Sequence, residues 1–204
     1  MQDWGHDEAS WLERFETIRH QTESLCAPLE PEDYVVQSMA EASPVKWHLA
    51  HSTWFFERFI LEDQLDEEPI DPRYNFIFNS YYRAAGVPHE RSERGMVTRP
   101  TVSEVQQYRE QVDGRMRDLV VSDEFDDHLA SLFEVGLHHE QQHQELLLTD
   151  LQHHLFQNPL SPSLFEAQAF DHCVDSISDL EWYSVDGGIY EIGQEGAGFA
   201  YDNE

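Results

Sequence analysis

Hydrophobic residues recur at helical spacing in several segments of the chain, and this pattern predicts a mainly α-helical fold. The first predicted helix runs from about Glu8 to Leu25 and ends before Pro28. The second begins at Ser43-Pro44, where serine is a good N-cap and proline suits the first helical position, and it continues to about Asp63. The apolar faces of these two helices carry Trp11, Phe15, Ile18 and Leu25, and Val45, Leu49, Phe56 and Phe59.

A long irregular region precedes two further predicted helices. Prolines and glycines interrupt residues 65–100, and loops of this length are often functional. The third helix opens with a capping box of Thr101 and Glu104. The fourth runs from about Ser122 to Phe156, and Gly136 predicts a bend within it. The apolar face of the third helix carries Val105, Tyr108, Val112, Met116 and Leu119. Together the four segments predict a four-helix bundle.

The character of the chain changes after Pro162. The segment EWYSVDGGIYEIGQ predicts two short strands joined at residues 186–188, which is a hairpin signal. A lone hairpin is not stable by itself. The sequence therefore predicts a helical domain over residues 1–165 and, over residues 166–204, a linker and the start of a second domain that opens as the chain ends.

The charge of the chain excludes some classes of partner. Asp and Glu number 41 against 12 Lys and Arg, for a net charge of −29. Nucleic-acid binding and anionic membrane surfaces both require clustered basic residues, so neither is expected as a partner. The acidity predicts either a solubilising surface or adaptation to a cytoplasm of high salt, which screens self-repulsion.

The sequence also predicts a cytoplasmic location. No stretch approaches the roughly 20 apolar residues that span a bilayer. The first residues lack the basic and apolar pattern of a signal peptide. Cys26 and Cys173 are far apart without a CxxC pair, which suits a reducing compartment.

Histidine spacing indicates a metal site. The fourth helix contains HHEQQHQE, in which His139 and His143 are four residues apart and share one helix face. The second helix contains His48 and His51, which also share a face. If these faces meet in a bundle, one histidine of the second helix and two of the fourth supply three nitrogen ligands, and positions stay open for reactants.

Spacing by itself leaves two choices open. Either His48 or His51 could be the ligand on the second helix, and either His138 or His139 could pair with His143 on the fourth. The histidines at 153–154 lie about three turns further on and are predicted to be at the surface.

Two other metal motifs overlap the same stretch. Residues 139–143 match HExxH, the zinc protease pattern with Glu140 as general base, but no third ligand is evident downstream. Residues 140–143 match the ExxH element of di-iron bundles, which need a second ExxH that the sequence does not contain. Both hypotheses rank below the three-histidine site.

The long loop carries two arginines in VPHERSERGMVTRP. Arg91 and Arg94 suit bidentate capture of a carboxylate. On composition alone, surface salt bridges to Glu90 and Glu93 are the simpler interpretation.

Several motifs together resemble a known family. SPVKWHLAHSTWFFE, FNSYYRAAG, RSERG followed by TRPT, and HHEQQHQELLLTD resemble the DinB-like domain of EgtB-type sulfoxide synthases of ergothioneine biosynthesis. The tail GGIYEIGQEGAGFAYDNE resembles the opening of the formylglycine-generating-enzyme-like domain that follows in those proteins. The motifs occur in the family's order and cover nearly the whole chain beyond the first helix.

The resemblance implies a specific chemistry. It implies that Fe(2+) is held by His51, His139 and His143, which selects between the neighbouring histidines. It also implies that oxygen is used to join the sulfur of gamma-glutamylcysteine, or of cysteine, to C2 of the hercynine imidazole as a sulfoxide. By the same resemblance, Arg91 and Arg94 hold the carboxylates of the thiol substrate.

The family's catalytic tyrosine lies in the second domain, so the resemblance assigns no catalytic residue to this chain. We therefore expect the 204 residues to bind metal but to show little turnover by themselves. Two alternatives remain: a stand-alone DinB-like metal-dependent thiol transferase or hydrolase, and a non-catalytic bundle stabilised by metal.

Overall fold

Long helices dominate the computed structural model, which describes residues 8–82, 86–165, 180–194 and 199–201. The chain divides into two units, Met1–Leu164 and Phe165–Glu204. The four main helices lie in the first unit, which confirms the mainly α-helical prediction. They are α1 (Glu8–Cys26), α2 (Val45–Phe56), α3 (Val102–Val120) and α4 (Asp127–Gln157). No helix in the described ranges combines the length and apolar character needed to cross a bilayer.

Shorter helical segments extend and connect these four. A π-helical segment, Glu57–Glu62, and then a short α-helix, Asp63–Leu65, continue directly from α2. The region between α2 and α3 contains a short α-helix at Tyr74–Ile77 and a 3-10 helix at Arg91–Met96. A further 3-10 turn, Asp33–Val35, follows α1.

Helix α2 is the central element of the first unit. It packs against both α3 and α4, while α1 packs against α4 and α3. Every residue of α2 is buried, including His48 and His51. The residues predicted for its apolar stripe, Val45, Leu49 and Phe56, are buried as expected, and the polar positions are buried as well because other helices pack against several sides of α2.

The start of α3 confirms the predicted capping box. The Thr101 hydroxyl accepts a hydrogen bond from the Glu104 amide at 3.2 Å, and the Glu104 carboxylate accepts one from the Thr101 amide at 2.6 Å. All the apolar residues predicted on the core face of α3 are buried. The capping box and the apolar face of α3 each depend on residues three or four positions apart, so both could be predicted from the sequence.

The starts of α2 and α4 differ from the prediction. The Asp126 side chain caps α4 by accepting from the Leu129 amide at 2.9 Å, whereas the Ser122 hydroxyl donates to the Leu119 carbonyl and so closes α3. Pro44 is the N-cap of α2. Ser43 instead accepts a hydrogen bond from Arg94 with its hydroxyl and donates its backbone amide to the Asp150 carboxylate.

Gly136 permits close contact between α4 and α2. A Cβ at this position would lie 2.5 Å from the Phe56 ring, which is fully buried. The structure assigns α4 as one α-helix from Asp127 to Gln157, without an interruption at Gly136. The glycine is therefore explained by the approach of an aromatic ring.

The predicted hairpin is not present. Residues 180–194 contain no strand, and Trp182, Ile189 and Ile192 are almost fully exposed. Two strands without a sheet or helix to pack against do not bury enough apolar surface to be stable. Residues 166–179, where the predicted linker begins, and residues 195–198 and 202–204 of the tail motif lie outside the described residues. The assignment of 166–204 to a formylglycine-generating-enzyme-like domain stays a prediction.

Candidate metal centre

Three histidines converge between α2 and α4. His51 comes from α2, and His139 and His143 come from adjacent turns of α4. Each offers one ring nitrogen, and these three atoms lie within 4.8 Å of one another. The ring centroids are 4.5 to 4.9 Å apart. Three nitrogens that bind one ion at about 2.1 Å lie about 3.0 to 3.6 Å from one another, so side-chain shifts of about an ångström close the site around an ion.

Hydrogen bonding fixes the tautomer of His51. Its Nδ1 lies 2.6 Å from the carbonyl oxygen of Phe78, which can only accept, so Nδ1 carries the proton and Nε2 keeps its lone pair. That Nε2 is buried and has no hydrogen-bond partner among the described residues, and the same is true of Nδ1 of His139. Buried unpaired nitrogens are unfavourable unless something binds them. The site residues therefore fit a divalent metal ion.

The environment keeps these imidazoles neutral, which is the form that binds metal. Burial lowers the pKa of His139 to about 4, against a smaller raising effect from Glu140. Burial, with repulsion from neighbouring histidines, holds the pKa values of His51 and His143 well below the ordinary value. The three side chains are thus ready to bind an ion at neutral pH.

Aromatic rings surround the three histidines. Trp47 stacks on His51 with ring centroids 4.4 Å apart, and Trp54 stacks on His51 at 5.5 Å. Phe55 contacts the His139 ring at 4.6 Å. These contacts hold the imidazoles in place and keep bulk water away from them.

Glu140 takes part in a buried ionic network that excludes a general-base role. Its carboxylate accepts from the guanidinium groups of Arg19 and Arg109, each at 2.6 Å, and from the Thr22 hydroxyl at 2.7 Å. Burial by itself would raise the pKa of Glu140, but the two guanidinium groups outweigh it and lower the pKa to about 2. A carboxylate held in this way does not accept a proton from water. The zinc protease hypothesis is therefore rejected, and Glu140 is not available as a di-iron ligand.

Residues 14–147 match the DinB superfamily, and this range contains all three histidines. The chain belongs to the DinB superfamily. No curated protein matches the chain. The resemblance predicted from the motifs is confirmed at the level of this superfamily, whose helical domain carries the candidate site.

Arg94 lies beside the candidate site of this DinB domain. Its guanidinium carbon is 3.4 Å from the centroid of the Trp47 ring, which also stacks on His51. It donates to the Ser43 hydroxyl at 2.8 Å, and its buried Nε has no hydrogen-bond partner in the described part of the chain. Burial and repulsion from Arg91 lower the pKa of Arg94 to about 9, so the side chain stays cationic at pH 7.

Arg91 is exposed at the start of the same 3-10 helix. Among the described residues, neither Arg91 nor Arg94 forms an ion pair with a carboxylate. The salt bridges to Glu90 and Glu93 that composition favoured are therefore not formed. The two arginines differ in burial, and only Arg94 is packed against an aromatic neighbour of the histidines.

Sequence reasoning missed two contacts of the DinB site. His48, considered there only as an alternative ligand, places its Nδ1 3.0 Å from Nδ1 of His143 and its Nε2 3.0 Å from a carboxylate oxygen of Asp150. Asp150 lies two helical turns after His143, at the end of the motif HHEQQHQELLLTD, but nothing in the sequence pointed to its contact with His48. The Phe78 carbonyl, which orients His51, belongs to the first residue of FNSYYRAAG in the irregular region, and no spacing linked it to His51.

The remaining histidines of α4 lie outside the cluster. His138 is not part of the three-histidine group. His153 and His154 are half-buried, and His153 Nδ1 lies 2.8 Å from the Ser38 hydroxyl. The prediction that this last pair lies at the surface is therefore wrong for His153.

Proposed function

We propose that this DinB protein binds Fe(2+) through His51, His139 and His143 and takes part in oxygen-dependent formation of a carbon–sulfur bond. The convergence of three neutral imidazoles at one buried point carries the proposal, since three protein ligands leave coordination positions for reactants. The substrates proposed from the resemblance are hercynine and gamma-glutamylcysteine, or cysteine in place of the dipeptide.

The overall reaction balances with oxygen as the sole oxidant. The C2–H of hercynine and the S–H of the thiol are lost, a C–S bond forms, and the sulfur gains one oxygen atom. The second oxygen atom of O2 leaves as water with the two hydrogens. O2 thus accepts four electrons, two from formation of the C–S bond and two from oxidation of the sulfur.

The protein residues bind and orient the reactants. Iron, when bound, supplies a positive charge that favours the thiolate and a common point at which the reactants meet. Arg94 is a buried cation that pairs with no carboxylate of the described residues, and it offers a charge-assisted hydrogen bond to a carboxylate of the thiol substrate. Trp47 and Trp54 exclude water from the reacting groups.

Metal content tests the ligand assignment. The 204-residue chain is purified without oxygen, loaded with Fe(2+), freed of excess metal and analysed for iron. We expect about one iron per wild-type chain, because three ligands hold one ion, and a large loss of iron in His143→Ala. His153→Ala, a replacement on the same helix outside the cluster, serves as the control and should retain iron. Equal iron in wild type and His143→Ala would contradict the assignment.

Oxygen consumption tests the reaction. It requires the protein with its complete second domain, because the resemblance places part of the hercynine site there. With iron and both substrates we expect oxygen uptake and a sulfoxide product detected by mass spectrometry, and neither when hercynine is omitted. Thiol turnover that needs a divalent metal but no oxygen would instead favour the thiol transferase or hydrolase. A failure to turn over any thiol would favour a non-catalytic bundle.

A further inference from the structure

We infer that Asp150 and His48 are positioning residues for the metal ligand His143. The three side chains form a hydrogen-bonded triad, with His48 between the carboxylate and the ligand. The inference rests on the proposed metal site and goes beyond it, because neither Asp150 nor His48 is among the three proposed ligands.

The Asp150 carboxylate determines which atoms donate and which accept in the triad. Its Oδ2 lies 2.8 Å from the backbone amide of Ser43, a group that can only donate, so this oxygen is an acceptor. The same oxygen lies 3.0 Å from Nε2 of His48. His48 therefore donates from Nε2.

The proton position on His143 follows from that of His48. A neutral imidazole that carries its proton on Nε2 has an acceptor at Nδ1. Nδ1 of His48 lies 3.0 Å from Nδ1 of His143, so His143 donates from Nδ1. The lone pair of His143 is then on Nε2, which is the nitrogen left to bind a metal ion.

His143 and His51 are held in the same tautomer. There the Phe78 carbonyl holds the proton on Nδ1 and leaves Nε2 with its lone pair. Two of the three ligands are thus held in one tautomer by buried acceptors that come from different parts of the fold. Such contacts orient a ligand ring and raise its basicity, and their loss typically weakens metal binding by about 10- to 100-fold.

The triad also connects the two helices that supply the ligands. His48 lies one turn before His51 on α2 and is 4% exposed, and Asp150 lies on α4 with His143. Asp150 further binds the Ser43 amide just before α2 begins. The ligands of both helices are therefore held in register by the residues that orient His143.

Cobalt binding to the 204-residue chain tests this role, with Co(2+) alone as the probe. Its affinity is measured by competition with a chelator, and its visible absorption spectrum reports the ligand geometry. We expect Asp150→Asn and His48→Gln each to weaken Co(2+) binding by about 10- to 100-fold and to shift the spectrum. The double variant should bind no more weakly than the weaker-binding single variant, because both residues act through the same contact. His153→Ala is the control, since that histidine also makes a polar side-chain contact from α4 but lies outside the triad, and it should bind as wild type.

Three results would overturn the inference. One is Asp150→Asn affinity within about twofold of wild type, which is below the loss expected for such a contact. Another is a double variant whose loss of Co(2+) affinity equals the product of the losses in the two single variants. The third is reduced stability of the metal-free variants to urea with unchanged affinity, which would assign Asp150 a structural role only. If wild type binds Co(2+) and His143→Ala does not, while Asp150→Asn matches wild type, only the positioning role fails. If wild type does not bind Co(2+) at all, the metal site fails and the triad fails with it.

A measurement on the unaltered protein covers the case in which the variants do not fold. Long-range proton–nitrogen NMR of the chain loaded with Zn(2+) identifies which nitrogen of each histidine carries the proton. We expect a proton on Nδ1 of His143 and on Nε2 of His48. A proton on Nε2 of His143, or on Nδ1 of His48, would contradict the triad.

Discussion

Individual histidines define the candidate site through their surroundings. His51, His139 and His143 are kept neutral by burial, and His51 and His139 each present a buried nitrogen that no described residue hydrogen-bonds. Neutral imidazoles are ligands, whereas protonated ones are not. The same burial that prepares the site for a metal makes the metal-free protein sensitive to acid.

The metal-free chain is expected to lose stability as pH falls below about 6.5, the pKa of histidine in an unfolded chain. The buried histidines have lower pKa values, about 4 for His139, so the unfolded state takes up protons first. The free energy of unfolding therefore decreases as the pH is lowered from about 6.5 to about 4. For the lowered pKa of His139 this decrease is on the order of 3 kcal/mol. Urea unfolding at pH 7, 6 and 5 measures the effect.

His139→Gln is the matched comparison for this pH dependence. It removes one titrating imidazole, so its stability should change less between pH 7 and pH 5. Glu140 contributes in a different range, because its lowered pKa of about 2 makes its stabilisation disappear only below the ordinary value near 4.5. Identical pH profiles for wild type and His139→Gln would contradict the assignment.

Arg94→Lys tests the proposed substrate contact. Lysine keeps the positive charge but loses the planar group that stacks on Trp47 and the paired donors that match a carboxylate. In a protein that carries the second domain implied by the resemblance, we expect KM for the thiol to rise by roughly 10-fold or more, with a smaller change for hercynine. Arg91→Lys, at an exposed position on the same 3-10 helix, should change KM less. Equal KM values for wild type and Arg94→Lys would exclude the contact.

At the scale of secondary structure, the site depends on how closely α2 and α4 approach. Both helices supply ligands, and Gly136 lets the Phe56 ring rest against the backbone of α4. An added methyl group there would meet a ring that is fully buried and has no room to move. The spacing of the two helices is therefore sensitive to a single carbon atom.

Gly136→Ala is expected to destabilise the protein by about 1–3 kcal/mol, because the overlap with Phe56 outweighs the roughly 1 kcal/mol that alanine gains over glycine in a helix. Gly114→Ala on α3 is the control, since an added Cβ there meets nothing within 4 Å and should leave stability unchanged or raise it by up to about 1 kcal/mol. Urea unfolding of the two variants gives the comparison. Equal effects of both substitutions would rule out the close contact as the reason for Gly136.

At the scale of the whole molecule, the distribution of charge is more uneven than the composition suggests. Of the 11 basic side chains among the described residues, 4 are buried: Arg19, Lys46, Arg94 and Arg109. They act inside the first unit, where Arg19 and Arg109 neutralise Glu140 and Lys46 donates to the Val97 and Pro100 carbonyls. Three carboxylates, Glu57, Asp113 and Glu140, are buried as well, so burial among the described residues leaves the large excess of carboxylates at the surface.

Salt is therefore expected to stabilise the protein. The Debye length falls from about 10 Å at 0.1 M salt to about 3 Å at 1 M, which screens repulsion between exposed carboxylates. We expect the urea midpoint to rise between 0.1 M and 2 M KCl, with most of the gain below 1 M. Sucrose in place of KCl separates screening from general exclusion effects. An unchanged midpoint across this range would favour the simpler interpretation that the acidity serves solubility.

Features that depend on nearby residues could be predicted from the sequence. The four helices, the capping box of Thr101 and Glu104, and the shared face of His139 and His143 all follow from spacings of three or four residues. Features that depend on distant residues could not. Ser122 and Asp126 are both acceptable caps, and only the closure of α3 by Ser122 assigns the cap of α4 to Asp126. The predicted strands at 180–194 failed because local propensity does not supply the partner surface that a strand needs.

The sequence by itself determined the helical class, the acidic charge and the histidines able to meet at one ion. Helical periodicity and charge are local properties, so they can be read directly along the chain. Only the tertiary structure decided that His51 faces the pair on α4, that His48 binds Asp150 and His143, and that Glu140 is held by two arginines. Those partners lie 31 to 121 residues apart along the chain, and packing between helices, which no local spacing encodes, brings them together.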